Sequence, residues 1–448
     1  MSLRGIILLI WFAGSLPVCF FRPFYGLFLW TIVAFANPQA FTWGAATVFP
    51  WALAVALPTL AGMLVFSKGW SRLLFRESLL IAALWIWFTV TTLVSTHTPL
   101  FIHHADDTWY RWGFVSKILL MTLATVVIVK DFHQLHIFLR VVALCFGVFV
   151  AKSFPFVIAT GGQFRVYGPP NSMIADNNDF GLALNMTLPL FFFLAQLEEN
   201  RWMRRMFWAL FAMTIPTIFF TYSRGALVGL VAVMTLMVMK LKLKQRWALV
   251  PVIALGLAAA LLFAPESWQE RMDPTRKGAI DKSAQSRFNA WTFSWNLAQD
   301  YPVFGGGFAT FTVPLFSRYA PNAQDIHGAH SVYFQLLGEH GFTGLLLYLT
   351  LVASCLLSIR KLNKRARETL DPDLSHYANM ILFAMAGFLT SGFFLGRAYF
   401  DYFFTLVASL VVLCDVAARE PMAGAEHDDT HEEEDTRTLA HAEPTWQQ

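Results

Sequence analysis

Residues 180–197 read FGLALNMTLPLFFFLAQL, eighteen consecutive positions without a charged side chain. An α-helix needs about 20 mainly apolar residues to cross the hydrocarbon core of a bilayer. Comparable stretches recur along the chain, at 5–20, 25–37, 47–66, 78–96, 114–129, 135–160, 205–221, 224–240, 247–264, 331–357, 377–395 and 400–417. Apolar runs of this length favour helices over the short alternating segments of a β-barrel. The sequence therefore predicts an all-α integral membrane protein with about 12 transmembrane helices.

The composition indicates the same class of protein. Hydrophobic residues occupy 56% of the 448 positions and charged residues 14%, whereas a soluble domain carries about 25% charged residues. The formal net charge of +4 is too small to indicate a nucleic-acid partner. The four cysteines lie singly in apolar stretches, without the spacing of metal ligands or of a disulfide framework. We therefore expect neither a metal site nor a cofactor.

Four short connectors concentrate the basic residues. They are Lys68/Arg72/Arg76, Arg201/Arg204/Arg205, Lys240/Lys242/Lys244/Arg246 and Arg360/Lys361/Lys364/Arg365/Arg367. Counting spans between them puts all four on one side, which the positive-inside rule assigns to the cytoplasm. The side of the N-terminus stays open, because the stretch 25–37 is short enough to be only a partial helix.

The span pattern divides the chain into four regions. They are a membrane bundle at 1–264, an external (periplasmic) segment at 265–330, further membrane helices at 331–418, and a tail at 419–448. In the external segment, Arg287, Phe288, Trp291 and Trp295 follow helical spacing, which predicts an interfacial helix. The tail is acidic and lacks apolar periodicity, which predicts a disordered cytoplasmic extension.

Arg224 opens the predicted helix 224–240, within TYSRGAL at 221–227. A cation in a first helical turn meets the positive end of the helix dipole, which is unfavourable. The arrangement is favourable if an anion binds there, held by the helix N-terminus and the guanidinium together. The alternative is an arginine that reaches lipid phosphates. This residue alone leaves both interpretations open.

His330 marks the point where the external segment re-enters the membrane. The N-terminus of the following helix disfavours imidazolium, so the ring stays neutral and able to act as a general base. The alternative is a hydrogen-bonded interfacial histidine. Glu339 follows nine residues later, about 13 Å deeper along a straight helix. We therefore expect Glu339 to be a hydrogen-bonded supporting residue rather than a direct partner of His330.

Arg165 lies in a predicted external loop, GGQFRVYGPP at 161–170. The following Asp176-Asn177-Asn178-Asp179 favours a helix N-cap over a cation site. The glycine run 305–307 lacks the Lys-Ser/Thr of a phosphate-binding loop and is interpreted as a turn. The sequence has no nucleotide-binding fingerprint, which argues against a soluble sugar-nucleotide donor.

Taken together, these stretches resemble the O-antigen ligase superfamily of bacterial inner-membrane glycosyltransferases. The superfamily includes lipopolysaccharide O-antigen ligases, O-antigen polymerases and protein O-oligosaccharyltransferases. The resemblance rests on YSRGA at 222–226, on Ser286-Arg287 with Trp291 ahead of Pro302 and the glycine run, and on His330-Ser331 with Glu339-x-Gly341-x-x-Gly344. A narrower resemblance, to the O-glycosylation ligases found with exosortase systems, rests on FTWG at 41–44, VYGPP at 166–170, DNN at 176–178 and FxxYAP at 316–321.

The resemblance implies a GT-C-like enzyme that transfers a glycan from undecaprenyl diphosphate to an acceptor hydroxyl at the periplasmic face, with inversion and without a metal. His330 would be the catalytic base, and Arg224, Arg287 and Arg165 would bind the diphosphate. Ser223, His327 and Glu339 would support them. A monomer embedded among membrane lipids is expected.

The acceptor implied by the resemblance is lipid A–core, with a protein hydroxyl or a glycan repeat as alternatives. The competing class is a transporter or flippase for a lipid-linked anion. Such a protein is expected to carry polar residues at mid-membrane and paired repeats with broken helices. The sequence shows no convincing repeat of this kind.

Overall fold

A computed structural model describes residues 3–41, 49–241, 264–272 and 282–419, together with 246, 247, 250, 251, 254, 256, 258 and 262. These residues form helices and connecting turns, and none of them belongs to a β-strand. The α-helices are α1 Leu3–Phe21, α2 Pro23–Thr31, α3 Trp51–Phe66, α4 Arg76–His97, α5 Ala105–Ile128, α6 Phe132–Ala159, α7 Asn177–Leu197, α8 Arg201–Phe219, α9 Arg224–Lys240, α10 Glu266–Met272, α11 Lys282–Asp300, α12 Val313–Tyr319, α13 Val332–Glu368, α14 Pro372–Ser391 and α15 Asp401–Arg419.

Some of the sequence predictions fall outside the described residues. They concern the acidic tail beyond Arg419, most of the predicted span 247–264, the connector residues Lys242 and Lys244, and most of FTWG at 41–44. Each predicted span that falls within the described residues lies on a helix.

In the described part of the chain, six helices are long and apolar enough to cross a membrane. They are Arg76–His97, Ile102–Ile128, Phe132–Ala159, Asn177–Leu197, Val332–Glu368 and Asp401–Arg419. The all-helical, multi-pass membrane class is therefore confirmed. The larger number of spans stays a prediction, because several other helices are shorter or less apolar.

Side-chain contacts bring the four basic connectors to one end of the bundle, which we call the basic end. Arg76 contacts Ser358 Oγ at 3.2 Å, Lys240 and Arg367 share a cavity wall, and Arg72 Nε contacts Asp415 Oδ2 at 2.6 Å. The connector 198–200, directly before Arg201, is tied to the start of α6 by Arg140 Nε and Glu198 Oε1 at 2.7 Å, and His136 of α6 contacts Tyr377 Oη near the start of α14 at 2.7 Å. The predicted common side of these connectors is thereby confirmed as a common end. The opposite end carries the connectors 98–104, 160–176, 220–223 and 392–400, and we call it the loop end.

The first helix runs parallel to α3. Phe12 packs edge-to-face on Trp51 with ring centroids 4.6 Å apart, and Phe20 packs on Phe66 at 5.7 Å. Because α3 ends at the connector 67–75, the start of α1 lies at the loop end. The structure thus places the start of α1 at the loop end, whereas the sequence left the side of the N-terminus open.

A break in α13 shapes the neighbourhood of the site. Gly341 has φ 67° and ψ −171°, which is not helical. The second and third glycines of the loop 302–307 donate their N–H groups to the carbonyls of Gly338 and Glu339, at 2.9 and 2.8 Å. The N–H of Phe342 donates to the first carbonyl of the same loop at 2.8 Å. The glycine run is therefore a turn, as predicted. It also supplies hydrogen-bond donors to the carbonyl groups that the break in α13 leaves without a helical partner.

We expect Gly341→Ala to destabilise the protein strongly. A Cβ atom there would lie 2.6 Å from the carbonyl oxygen of Pro302, and the backbone conformation is one that only glycine adopts readily. The backbone strain alone costs about 1–3 kcal/mol. Thermal denaturation of the purified protein measures the effect. Gly113→Ala in α5 is the matched control, because a Cβ there meets nothing within 4 Å; equal shifts for both variants would contradict the interpretation.

Candidate active site

A cavity of about 850 Å³ opens at the loop end, and we call it the His330 cavity. Its walls come from the first turns of α5, the loop before α7, residues 309–312, residues 328–339 and the turn 396–399. Its charged or ionisable lining residues are Asp107, Tyr110, Arg111, Asp179, His330, Glu339, Arg397 and Tyr399. The cavity therefore combines both signs of charge around one histidine.

Two neighbouring elements hold the backbone around His330. The residue has φ 43°, in the left-handed region that side chains other than glycine rarely adopt. On one side, a Cβ at Gly396 would lie 3.3 Å from the His330 nitrogen. On the other side, Trp291 Nε1 donates to the carbonyl of Ala329 at 2.8 Å. Such a conformation persists only where the surroundings fix it, and here α11 and the turn 392–400 do so.

The environment of His330 favours a neutral ring. The ring is exposed to the cavity, yet the protein around it desolvates it enough to lower its pKa below the ordinary value of 6.5. The positive charge of Arg287 lowers this pKa further, followed by that of His327. The predicted neutral state stays a prediction, and desolvation by the surrounding protein together with the charge of Arg287 favours it.

Arg287 lies on α11, which the sequence predicted as an interfacial helix. Trp291, one turn later, stacks on Phe334 with ring centroids 4.9 Å apart, while Phe288 and Trp295 stay exposed. The helix is held to the loop before His330 by Asn289, whose side-chain nitrogen donates to the carbonyls of Asn322 and Asp325 at 2.8 and 2.9 Å. This packing fixes Arg287 beside the histidine.

We expect Arg287→Gln to shift the acid limb of the pH–rate profile to higher pH. The unprotonated ring is lost only as pH falls through its lowered pKa, and removing the repulsive guanidinium raises that pKa toward 6.5. Arg287→Lys keeps the charge and should keep the limb where it is. The readout is kcat/KM between pH 4.5 and 8; an unshifted limb in Arg287→Gln would contradict the electrostatic role.

Arg224 and Arg165 lie on adjoining parts of the loop end. Ser223 caps α9 by accepting a hydrogen bond from the Ala226 N–H at 3.2 Å, and the exposed Arg224 begins the helix. The guanidinium of Arg165 lies over the ring of Tyr222, 6.0 Å from its centroid. Both arginines therefore flank the same turn, 220–223.

The turn 392–400 connects this arginine pair to the histidine. A Cβ at Gly225 would lie 3.0 Å from Phe394 Cβ, and one at Gly396 would contact His330. Arg224, Arg287 and Arg165 do not belong to the described lining of the His330 cavity. They lie on elements that adjoin it, the turn 220–223 and α11. The sequence thus identifies three arginines around the cavity, but it misses most of the charged residues that line it.

Two arginines that line the cavity, Arg397 and Arg111, were not predicted from the sequence. Arg397 forms an ion pair with Asp179 and contributes to the low pKa of His330. Arg111 lines the cavity with Glu339 and acts on it electrostatically. Both lie near the loop end, opposite the basic connectors, where the positive-inside rule makes basic residues unusual. That signal, applied to every external arginine, would have found them.

The Asp/Asn cluster 176–179 was predicted to cap the helix that follows it. Asp176 caps the helix by accepting from the Asn178 N–H at 2.8 Å, and Asn177 donates to the Thr221 carbonyl at 2.7 Å. The N-cap is therefore confirmed.

Glu339 and His327 differ in their surroundings. Glu339 is buried and accepts hydrogen bonds from Tyr399 and Gln335, as expected for a deep carboxylate. It also lines the His330 cavity, because that cavity extends along the first two turns of α13. The hydrogen bonds of Glu339 go to Tyr399 and Gln335, so its supporting role stays a prediction. His327 is exposed and contacts Asp325, Nε2 to Oδ1, at 2.9 Å.

These features define a class of protein: an all-helical, multi-pass membrane protein with a histidine and several arginines gathered at one end of the bundle. Residues 208–349 match the family model described as O-antigen ligase, a range that contains Arg224, Arg287, His330 and Glu339. The match supports a relationship to the O-antigen ligase superfamily for this region of the chain. Residues 3–198 match a family of unknown function (DUF5935). The chain has no significant match among curated proteins, and the narrower exosortase-associated subset is not confirmed.

Proposed function

We propose that the protein transfers a glycan from undecaprenyl diphosphate to an acceptor hydroxyl at the periplasmic face of the bacterial inner membrane, with lipid A–core as the acceptor. The observation that carries the proposal is the His330 cavity, which holds a histidine of lowered pKa beside Arg287 and Arg397. A neutral imidazole suits proton abstraction, and the guanidinium groups suit a phosphorylated donor.

The orientation in the membrane follows from the basic end. Short connectors rich in Lys and Arg stay in the cytoplasm, so the basic end is cytoplasmic and the loop end periplasmic. The His330 cavity then faces the compartment in which lipid-linked glycans are transferred.

The donor diphosphate is assigned to the surface formed by Arg224, Arg165 and Arg287. The first turn of α9 adds the positive end of a helix dipole, which favours an anion. Charge develops on the departing diphosphate as the glycosidic bond breaks, and guanidinium groups stabilise that charge.

His330 is assigned as the general base. A ring nitrogen takes the proton of the acceptor hydroxyl, and the oxygen attacks the anomeric carbon from the face opposite the diphosphate. The bond between that carbon and the phosphate oxygen breaks, and undecaprenyl diphosphate leaves with the electron pair. The anomeric configuration is inverted, and His330 releases its proton to solvent.

Reconstitution of the purified protein in liposomes tests the proposal. A lipid-linked glycan is supplied with lipid A–core, with a Ser/Thr-containing protein, or with a second lipid-linked glycan, and the products are separated by mass. We expect transfer to lipid A–core, undiminished by a chelator. Transfer only to protein or glycan would overturn the acceptor, and lipid scrambling without any transfer would support a transporter instead.

A further inference from the structure

A second cavity, of about 650 Å³, lies at the basic end of the bundle. It is enclosed by the end of α1, the start of α2, the end of α3 and the first turns of α6. Three of its lining residues are basic, Arg22, Lys130 and His133, and none of its lining residues is acidic. This charge composition indicates an anionic ligand.

The basic residues of this cavity are exposed, and they differ in their partners from Arg72 and Arg140 at the same end. Arg72 is paired with Asp415, and Arg140 with Glu198. Within the described residues, by contrast, no ion pair joins Arg22, Lys130 or His133 to a carboxylate. The neighbouring Asp131 caps α6 by accepting from the Gln134 N–H at 2.8 Å. The cavity therefore retains an uncompensated positive field.

The cavity lies at the depth of lipid headgroups. Phe21, Tyr25 and Phe66 form its rim at helix ends and are 62%, 60% and 41% exposed. Exposed aromatic side chains at the ends of membrane helices mark the interface between water and hydrocarbon. A ligand in this position meets both headgroups and acyl chains.

An apolar surface continues from the cavity toward the middle of the bilayer. Val18 of α1 and Leu64 and Val65 of α3 are all exposed on it. The two helices approach closely here, since a Cβ at Gly62 would lie 2.0 Å from the Phe20 carbonyl oxygen. A basic pocket joined to an apolar wall matches a phosphate headgroup with its acyl chains.

We propose that this cavity binds the phosphate of an anionic phospholipid in the leaflet at the basic end, with the acyl chains along α1 and α3. Basic pockets between membrane helices are suited to such headgroups because they combine charge attraction with burial of apolar chains. The site is separate from the His330 cavity, which lies at the other end of the bundle. It does not depend on the glycan-transfer activity.

Native mass spectrometry of the purified protein, titrated with dioleoyl phosphatidylglycerol, tests the site. We expect Arg22→Gln/Lys130→Gln/His133→Gln to weaken binding by about tenfold or more, and each single variant by about threefold. Arg201→Gln/Arg204→Gln/Arg205→Gln is the control, because it removes as many basic groups at the same end without touching the cavity. Equal weakening in the two triple variants would overturn the proposal.

The source of the phosphate is distinguished by competing ligands. Dioleoyl phosphatidylcholine and dihexanoyl phosphatidylglycerol should bind at least about tenfold more weakly, the first for lack of net charge and the second for lack of long chains. Inorganic phosphate should not displace the bound lipid. Displacement by inorganic phosphate, or equal affinity for the short-chain and long-chain lipids, would replace the lipid site with a free-anion site.

Discussion

His330→Ala is expected to lower glycan transfer by about a thousandfold, with donor binding and folding close to those of the parent protein. General-base catalysis contributes typically about 10²–10⁴-fold. The histidine is exposed to the cavity rather than packed in the core, so removing its ring leaves no buried void. Single-turnover transfer from a lipid-linked glycan measures the loss, and binding of the radiolabelled donor is followed separately.

His327→Ala is the matched control for this variant. His327 lies in the same loop, is exposed, and contacts Asp325 rather than lining the cavity. We expect it to retain most of the parent activity. If His330→Ala transferred glycan at the parent rate, the histidine would be an interfacial hydrogen-bonding residue and the base would have to be sought elsewhere.

Arg224→Ala is expected to reduce kcat/KM for the lipid-linked donor by about 10- to 100-fold, in line with the loss of a charge-assisted hydrogen bond to phosphate. The arginine begins α9, where its own charge opposes the helix dipole, so an anion stabilises both. Arg224→Lys should restore little activity, because an ammonium group cannot reproduce the two parallel hydrogen bonds of a guanidinium.

Arg318→Ala provides the comparison for Arg224→Ala. Arg318 is an exposed arginine beside Asp300, with its guanidinium 5.3 Å from the ring centroid of Tyr319. We expect its replacement to leave donor kinetics unchanged. Full activity of Arg224→Ala would remove Arg224 from the donor site, and full rescue by lysine would indicate a simple contact with lipid phosphates.

The helices were predictable because their signal is local. An apolar run such as 180–197 has one stable form in lipid, the helix, since every backbone group must be paired internally. The N-cap at Asp176 was equally local, because the side-chain oxygen of a residue directly before a helix accepts from an N–H group two or three residues later. The side of the N-terminus could not be predicted from local sequence, because it depends on how α1 packs against α3.

The residues of the candidate site also fall into those with a local sequence signal and those that depend on the fold. His330, Arg224 and Arg287 could be identified from short motifs that fall at helix starts or on one helix face. Arg397 belongs to no motif and lies 67 residues after His330, so only its position in an external turn could have identified it. The low pKa of His330 was expected for an incomplete reason, since its desolvation and the nearby charge of Arg287 arise only in the folded chain.

The walls of the His330 cavity also bear on how this protein can be divided or recombined. Only two of its five wall segments, 309–312 and 328–339, fall inside the region 208–349 that matches the O-antigen ligase family. Arg72 reaches across to Asp415, and Asn185 donates to Ser391 at 3.0 Å, so outlying helices are bound to each other as well. In a chimera that carried residues 208–349 of a relative, the histidine would come from the relative and three of the five wall segments from this protein. The His330 cavity is therefore formed by the bundle from α5 to the turn 392–400, and not by the region 208–349 alone.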